Sequence, residues 1–203
     1  MSIFIKENPI LLSRIEETKN YLNSISYFSS EENHEKFNIF IKRMSAHIEK
    51  VRSNAKIIQD QIKFPENLYN FTENHDELKF LNPELIPYID LTMENLKKEI
   101  SPNYVRNINA SPSILHHVIN SSHHPEFYHP TKDSLKELGV EKINALSMPD
   151  FFIAEMICDW KAMSQELNTN IYVWIKTNVG KRWLFSEKQQ ELIMQYAKLL
   201  DNV

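Results

Sequence analysis

The feature that most constrains the fold is a long stretch, from Ser30 to Ile62, that contains neither glycine nor proline. Apolar residues recur along it every three or four positions, at Phe40, Met44, Ile48, Val51, Ala55 and Ile58. This spacing is typical of one face of an α-helix, and Pro65 then ends the stretch because proline cannot continue a helix. The pattern predicts one long helix with a buried apolar stripe.

Helical periodicity also dominates the rest of the chain. Prolines and polar capping residues predict further helices over residues 8–25, 82–100, 111–121, 147–167 and 186–200. Residues 68–81 are polar and irregular, whereas the apolar run 171–175 fits either a short strand or a buried turn of helix. Because the alternation typical of strands is weak throughout, the predicted fold class is all-α.

Length and composition bound the class of protein. A chain of 203 residues fits a single domain, since one core can grow to roughly 250 residues. The net charge of -4 lacks the basic excess of a dedicated nucleic-acid binder. No stretch reaches the roughly 18 apolar residues of a membrane span. A homo-oligomer is left open.

The expected location is the cytoplasm. Lys6, Glu7 and Pro9 interrupt the apolar run that a signal peptide needs. Cys158 is the single cysteine, so the chain cannot form an internal disulfide. The two glycines, Gly139 and Gly180, are too few for a glycine-rich phosphate loop. Any phosphate chemistry must therefore depend on a metal or on side chains.

The first candidate site residue is His47, on the apolar stripe of the long helix. It follows Met44 by three positions and precedes Val51 by four, so helical spacing predicts that it is buried. A single histidine in such a position is most often a core residue with a hydrogen-bond partner. The interpretation as a metal ligand depends on the other histidines.

A second candidate is the adjacent pair His75–Asp76, in the polar stretch before the helix that begins near Asn82. Neighbouring imidazole and carboxylate groups can bind one metal ion together, or one ion each of a pair. Lys79 follows three residues later and offers a cation to a phosphate oxygen.

Two histidine pairs follow, His116–His117 and His123–His124, seven residues apart. If the helix persists through both pairs, His116 shares a face with His123 and His117 with His124. Imidazole is a versatile ligand for iron, zinc and manganese, which favours a metal cluster over a solvated, histidine-rich surface. Which histidine of each pair is the ligand stays open.

Asp159 lies in an apolar helical run, one turn after Glu155. A carboxylate in such surroundings must be paired, because an isolated buried charge is very costly. A structural salt bridge is one explanation, and a bound metal is the one that fits the histidines better.

The order His47, His75–Asp76, histidine pairs, Asp159 resembles the ligand order H…HD…D of the HD superfamily of metal-dependent phosphohydrolases. Two segments, His116 to Glu126 and Glu155 to Asp159, look closest to a small branch of bacterial and phage HD-like proteins. The resemblance implies an all-helical bundle around a central metal site that holds one or two divalent ions, such as iron or manganese. It also implies hydrolysis of phosphate esters by a metal-activated hydroxide, with a small phosphorylated substrate, a nucleotide or a related ester.

On this resemblance, a first metal is bound by His47, His75, Asp76 and Asp159. His117 with His123 or His124 binds a second metal or contacts the phosphate, and His116 remains a further candidate ligand. Asp76, Lys79 and His124 are the expected catalytic residues, with Lys79 on a phosphate oxygen. Two alternatives use the same ligands, a di-iron oxygenase and a non-catalytic metal-binding protein.

Overall fold

A computed structural model describes residues 8–101, 103–105, 111–137 and 142–201. Helices account for 73% of the structure and strands for 3%. The predicted all-α fold class is therefore confirmed.

The α-helices of the described residues are α1 (Pro9–Ser24), α2 (Glu31–Gln61), α3 (Leu68–Phe71), α4 (Leu85–Ile100), α5 (Ser111–Asn120), α6 (Asp150–Glu166), α7 (Ile171–Asn178) and α8 (Glu187–Asp201). Short 3-10 helices cover Tyr27–Ser29, Thr72–Asn74, Glu77–Phe80, Pro125–Tyr128 and Lys132–Ser134. Strands β1 (Ile143–Asn144) and β2 (Trp183–Leu184) pair in parallel, with Ile143 opposite Trp183.

The long helix is confirmed, because the ends of α2 lie within one residue of the predicted ones. Glu31 and Glu32 occupy its first turn, where negative charge is favoured by the helix dipole. All six residues of the predicted apolar stripe are buried. The helix therefore forms where the period predicts it and buries the predicted face.

Local sequence signals also account for α1 and α7. The Asn8 side chain accepts a hydrogen bond from the backbone N–H of Leu11 at 2.9 Å, and Pro9 stands at the first helical position. Asn170 caps α7 by accepting from the N–H of Tyr172 at 2.8 Å. The apolar run 171–175, which fitted a strand or a helix, is thus helical.

Two expectations need correction. The stretch 68–81 is not simply irregular, because it contains α3 and two 3-10 turns around His75–Asp76. The parallel pair β1–β2 was not predicted, since two-residue strands are too short to show alternation.

The structure divides into two compact units. Unit 1 comprises Met1–Ala46 and Asp76–His117, and unit 2 comprises His47–His75 and Val118–Val203. The core of unit 1 includes Leu11, Leu22, Phe37, Phe40, Phe80, Leu85 and Ile89, and that of unit 2 includes Ile48, Ile58, Leu68, Ile153, Ile157, Ile193 and Leu200. The single domain over residues 1–203 stays a prediction.

Within unit 2, α6 and α8 pack against each other. Lys161 on α6 and Asp201 on α8 form an ion pair of 3.0 Å. The carboxylate side chains of the site described below belong to the same α6, so this packing supports the element that positions them. None of the helices in the described ranges is both long and apolar enough to cross a membrane.

Candidate metal centre

Two buried histidines of unit 2 approach the same carboxylate oxygen. His47 on α2 places Nε2 3.2 Å from Oδ1 of Asp159 on α6. His75, which follows the turn Thr72–Asn74, places Nε2 3.8 Å from that same oxygen. The predicted ligands His47, His75 and Asp159 are therefore together.

The other nitrogen of each ring meets a glutamate of α6. His47 Nδ1 lies 2.9 Å from Oε1 of Glu166, and His75 Nδ1 lies 3.1 Å from Oε1 of Glu155. An ionised carboxylate accepts hydrogen bonds and cannot donate them, so Nδ1 carries the proton in both rings. In the neutral imidazole the Nε2 lone pair is then directed towards Asp159.

His123 joins this cluster from the segment that follows α5. Its ring centroid lies 4.3 Å from that of His75, and its Nδ1 lies 3.7 Å from Oε1 of Glu155. His75, His123 and Asp159 each offer one ligand atom, and these atoms lie within 4.8 Å of one another. We call His47, His75, His123, Asp159, Glu155 and Glu166 the unit 2 cluster.

The electrostatics of Asp159 follow from this arrangement. Burial favours its neutral form and raises the pKa, but the neighbouring His47 and His75 rings favour the ionised form and outweigh that effect. The pKa of Asp159 consequently lies well below the ordinary value. The carboxylate is ionised at neutral pH and requires positive charge beside it.

A second cluster lies in unit 1. Asp76 Oδ1 is 3.0 Å from Nε2 of His117, and Asp76 Oδ2 accepts from Nζ of Lys79 at 2.6 Å. The Nδ1 atoms of His116 and His117 lie 2.7 and 2.9 Å from the two oxygens of Glu84. We call Asp76, Lys79, Glu84, His116 and His117 the unit 1 cluster.

The backbone of Asp76 is in the left-handed region, with φ 60° and ψ 22°. For a residue with a side chain this conformation costs about 1 kcal/mol, although aspartate tolerates it better than most. Strain of this kind persists where surrounding contacts hold it and is frequent at functional sites. Here the contacts to Lys79 and His117 hold the Asp76 carboxylate.

The predicted end of α5 near residue 121 is confirmed, so the helix does not continue through both histidine pairs. The helix ends at Asn120, where the Lys132 ammonium donates to the carbonyl oxygen of Ile119 at 3.1 Å. His123 lies in a turn, and His124 directly precedes the 3-10 helix that Pro125 begins. Helical spacing therefore does not relate His116 to His123 or His117 to His124.

Burial distinguishes the members of the first pair. The side chain of His117 is 2% exposed, whereas that of His116 is 38% exposed. His124 is half-buried, with its ring centroid 4.3 Å from that of His123. Two expectations combine residues of both units and stay predictions. One is that Asp76 binds the same ion as His47, His75 and Asp159. The other is that His117 acts together with His123 or His124.

The three glutamates of the two clusters, Glu84, Glu155 and Glu166, had no predicted site role. The sequence does contain a signal for the two glutamates of α6, because they are spaced by four and seven residues from Asp159. This helical period places Glu155, Asp159 and Glu166 on one face of α6. Glu84 has no comparable signal, because its partners lie more than thirty residues away in the sequence.

The donor atoms of the unit 2 cluster suit a divalent metal ion. At a bond length of about 2.1 Å, neighbouring ligand atoms stand about 3.0 Å apart for octahedral and about 3.4 Å apart for tetrahedral coordination. The distances of 3.2 and 3.8 Å from His47 and His75 to Asp159 bracket the tetrahedral value. Burial raises the pKa of the Cys158 thiol well above its usual value.

The structure thus defines an all-α protein with buried histidine–carboxylate clusters. The chain belongs to DUF5662, a family of unknown function, which matches residues 36–203. The matched region contains all the candidate site residues, and α1 precedes it. No curated protein and no solved structure is detectably similar to the chain.

Proposed function

We propose that this protein is a metal-dependent phosphohydrolase or phosphodiesterase of the HD kind, acting on a nucleotide or a related phosphate ester. The observation that carries the proposal is that both ring nitrogens of His47, His75 and His117 face carboxylate oxygens. A neutral histidine donates a hydrogen bond from one ring nitrogen and accepts one at the other, so two carboxylate partners leave the second nitrogen facing an acceptor.

The physical reason lies in the contact that Nε2 of each ring makes with an aspartate oxygen. When Nδ1 donates to a glutamate, the neutral ring turns an Nε2 lone pair towards the anionic oxygen of an aspartate. This contact is repulsive unless a proton or a metal ion lies between the two atoms. A divalent cation satisfies the nitrogen and the carboxylate together, and carboxylates on the outer nitrogens are the usual partners of metal-bound histidines.

One cation would be held by His47, His75, His123 and Asp159. A second would be held between the Asp76 carboxylate and Nε2 of His117. When bound, a divalent cation lowers the pKa of water towards neutrality and neutralises phosphoryl oxygens. The Lys79 ammonium has three donors, of which one serves Asp76, so the proposed contact with a phosphate oxygen remains compatible with its position. His124, beside His123, is proposed to contact the substrate.

In the proposed reaction a water oxygen bonds to phosphorus and the bond from phosphorus to the leaving oxygen breaks. One water proton goes to the leaving oxygen and the other to solvent.

A cytoplasmic location is part of the proposal, because Cys158 is a free, buried thiol and suits a reducing compartment.

The test combines metal analysis with turnover. Protein purified without chelators is analysed for metals, then loaded with Mn²⁺ or Fe²⁺ and assayed on p-nitrophenyl phosphate, bis-p-nitrophenyl phosphate and a panel of nucleotides. We expect at least one divalent ion per chain and release of phosphate or nitrophenol that a chelator abolishes. His34→Ala is the matched control, because His34 is exposed, stacks on Phe28 and lies outside both clusters.

Each other outcome contradicts a different part of the proposal. Failure to bind Mn²⁺ or Fe²⁺ would remove the metal centre. Metal binding without turnover on the whole panel would support a non-catalytic metal-binding protein. Bound iron that consumes oxygen and changes its absorption spectrum would support the di-iron oxygenase.

A further inference from the structure

Glu84 is a fully buried carboxylate that holds two consecutive histidines. It directly precedes α4 and is 0% exposed. Its Oε1 lies 2.7 Å from Nδ1 of His116, and its Oε2 lies 2.9 Å from Nδ1 of His117. Consecutive helical residues point about 100° apart, so a single carboxylate that spans both rings restricts their orientations strongly.

These contacts determine the tautomer of both rings. Because the carboxylate only accepts hydrogen bonds, each Nδ1 must carry a proton. The lone pair of a neutral ring is then on Nε2. For His117 that atom lies 3.0 Å from Oδ1 of Asp76, in the arrangement that a shared cation would satisfy.

The two rings differ in what surrounds them. His117 is buried, with its Nε2 against Asp76, whereas the His116 side chain is more than one third exposed. His116 therefore shares the outer glutamate with His117 but is far more exposed.

We propose that Glu84 is a positioning residue, which fixes the Nδ1–H tautomer of both histidines and thereby selects His117, and not its neighbour His116, as the metal ligand paired with Asp76. This inference deepens the proposed function and rests on its metal binding, but not on phosphate hydrolysis. Carboxylates in such positions typically contribute about 10- to 100-fold to metal affinity.

The first experiment needs no metal. Two-bond ¹H–¹⁵N spectra of chelator-treated, ¹⁵N-histidine-labelled protein report which ring nitrogens carry protons. We expect protonated Nδ1 for His116 and His117, with assignments from the His116→Ala and His117→Ala variants. An unprotonated Nδ1 in His117 would overturn the proposal.

The second experiment measures the Mn²⁺ affinity of variants by calorimetry. Glu84→Gln preserves the shape, but its amide has one acceptor oxygen and an NH₂ group that cannot accept. We expect Mn²⁺ binding about 10- to 100-fold weaker, and loss of Nδ1 protonation in one ring. Glu94→Gln is the matched control, because Glu94 is a mostly buried carboxylate of α4 whose partners, Lys97 and Tyr104, lie outside the cluster.

A third variant separates the two histidines. We expect His116→Ala to keep wild-type Mn²⁺ affinity and His117→Ala to lose one ion or bind it far more weakly. The reverse result would overturn the selection of His117, and unchanged affinity in Glu84→Gln would overturn the positioning role. If these variants behave as expected but no phosphate ester is hydrolysed, the proposed function fails and the role of Glu84 stands.

Discussion

At the scale of single residues, the site depends on the two nitrogens of imidazole. His47 and His75 each donate Nδ1–H to a glutamate and direct Nε2 towards Asp159. Each ring is thereby held from its outer side by a side chain that is itself fixed on α6. The inner atoms are then pre-positioned, so that a metal ion entering the cluster needs little rearrangement of its ligands.

The first prediction concerns His75 and Asp76, each of which belongs to one of the two clusters. His75→Ala removes an inner nitrogen beside Asp159, and Asp76→Ala removes the carboxylate beside His117. We expect each variant to lose tight metal binding and to keep most of its helix content. Elemental analysis and far-ultraviolet circular dichroism measure the two properties, and full metal content in both variants would contradict the HD assignment.

The second prediction separates a metal ligand from a structural salt bridge at Asp159. With metal present, Asp159→Ala should lower the melting temperature, because the stability linked to occupancy is lost. After chelation at neutral pH the loss should be smaller, because only the contacts with His47 and His75 then stabilise the buried carboxylate.

Thermal melts of wild type and Asp159→Ala, each with and without a chelator, provide the four values needed. A salt bridge to side chains predicts equal losses in both conditions, because a chelator cannot remove the partner. Equal losses would therefore exclude the metal-ligand role of Asp159.

At the scale of elements, the segment after α5 has support that does not involve its histidines. Oε1 of Glu126 accepts hydrogen bonds from Nη2 of Arg182 and Nε1 of Trp183, both at 3.0 Å. These bonds connect the 3-10 helix Pro125–Tyr128 to the residues at β2. The backbone that carries His123 and His124 is therefore held in place by the contacts of Glu126, and not by the histidine side chains.

The third prediction follows from this support. Replacing His123 and His124 together by alanine should reduce turnover by orders of magnitude without a large change in melting temperature. Surface substitutions outside a site ordinarily change stability by no more than about 0.5 kcal/mol and leave activity intact, as we expect for His34→Ala. Unchanged turnover in the double variant would show that neither histidine contributes to catalysis.

At the scale of the whole molecule, buried carboxylates connect the site to the stability of the fold. The depressed pKa of Asp159 means that the folded protein releases this proton more readily than the unfolded chain. Such a group stabilises the fold above its unfolded pKa, near 3.8, and this contribution is lost as the pH falls through the lower, folded pKa.

The fourth prediction applies this linkage to the metal-free protein. At pH 5, wild type should be more stable to urea than Asp159→Asn, because His47 and His75 favour the ionised carboxylate. The difference in the free energy of unfolding should shrink below about pH 3.8. A difference that stays constant down to pH 2 would show that Asp159 is not held by these two histidines.

The sequence by itself determined which segments are helical and which faces they bury. The stripe of α2 and the capping of α1 by Asn8 follow from local spacing and local hydrogen bonds, which a chain carries without any tertiary contact. The same local information predicted that His47 is buried and that Asp159 needs a charged partner. It did not reveal that Lys132, in a later segment, donates to the last turn of α5.

The tertiary structure alone decided which carboxylate meets which ring nitrogen. Helical periodicity determines the face on which a residue lies, but the partner of that face depends on how distant elements pack. Glu84 therefore had no signal in the sequence, although it contacts both His116 and His117. The choice between two neighbouring histidines depends on burial and on the position of Asp76, which are properties of the folded chain.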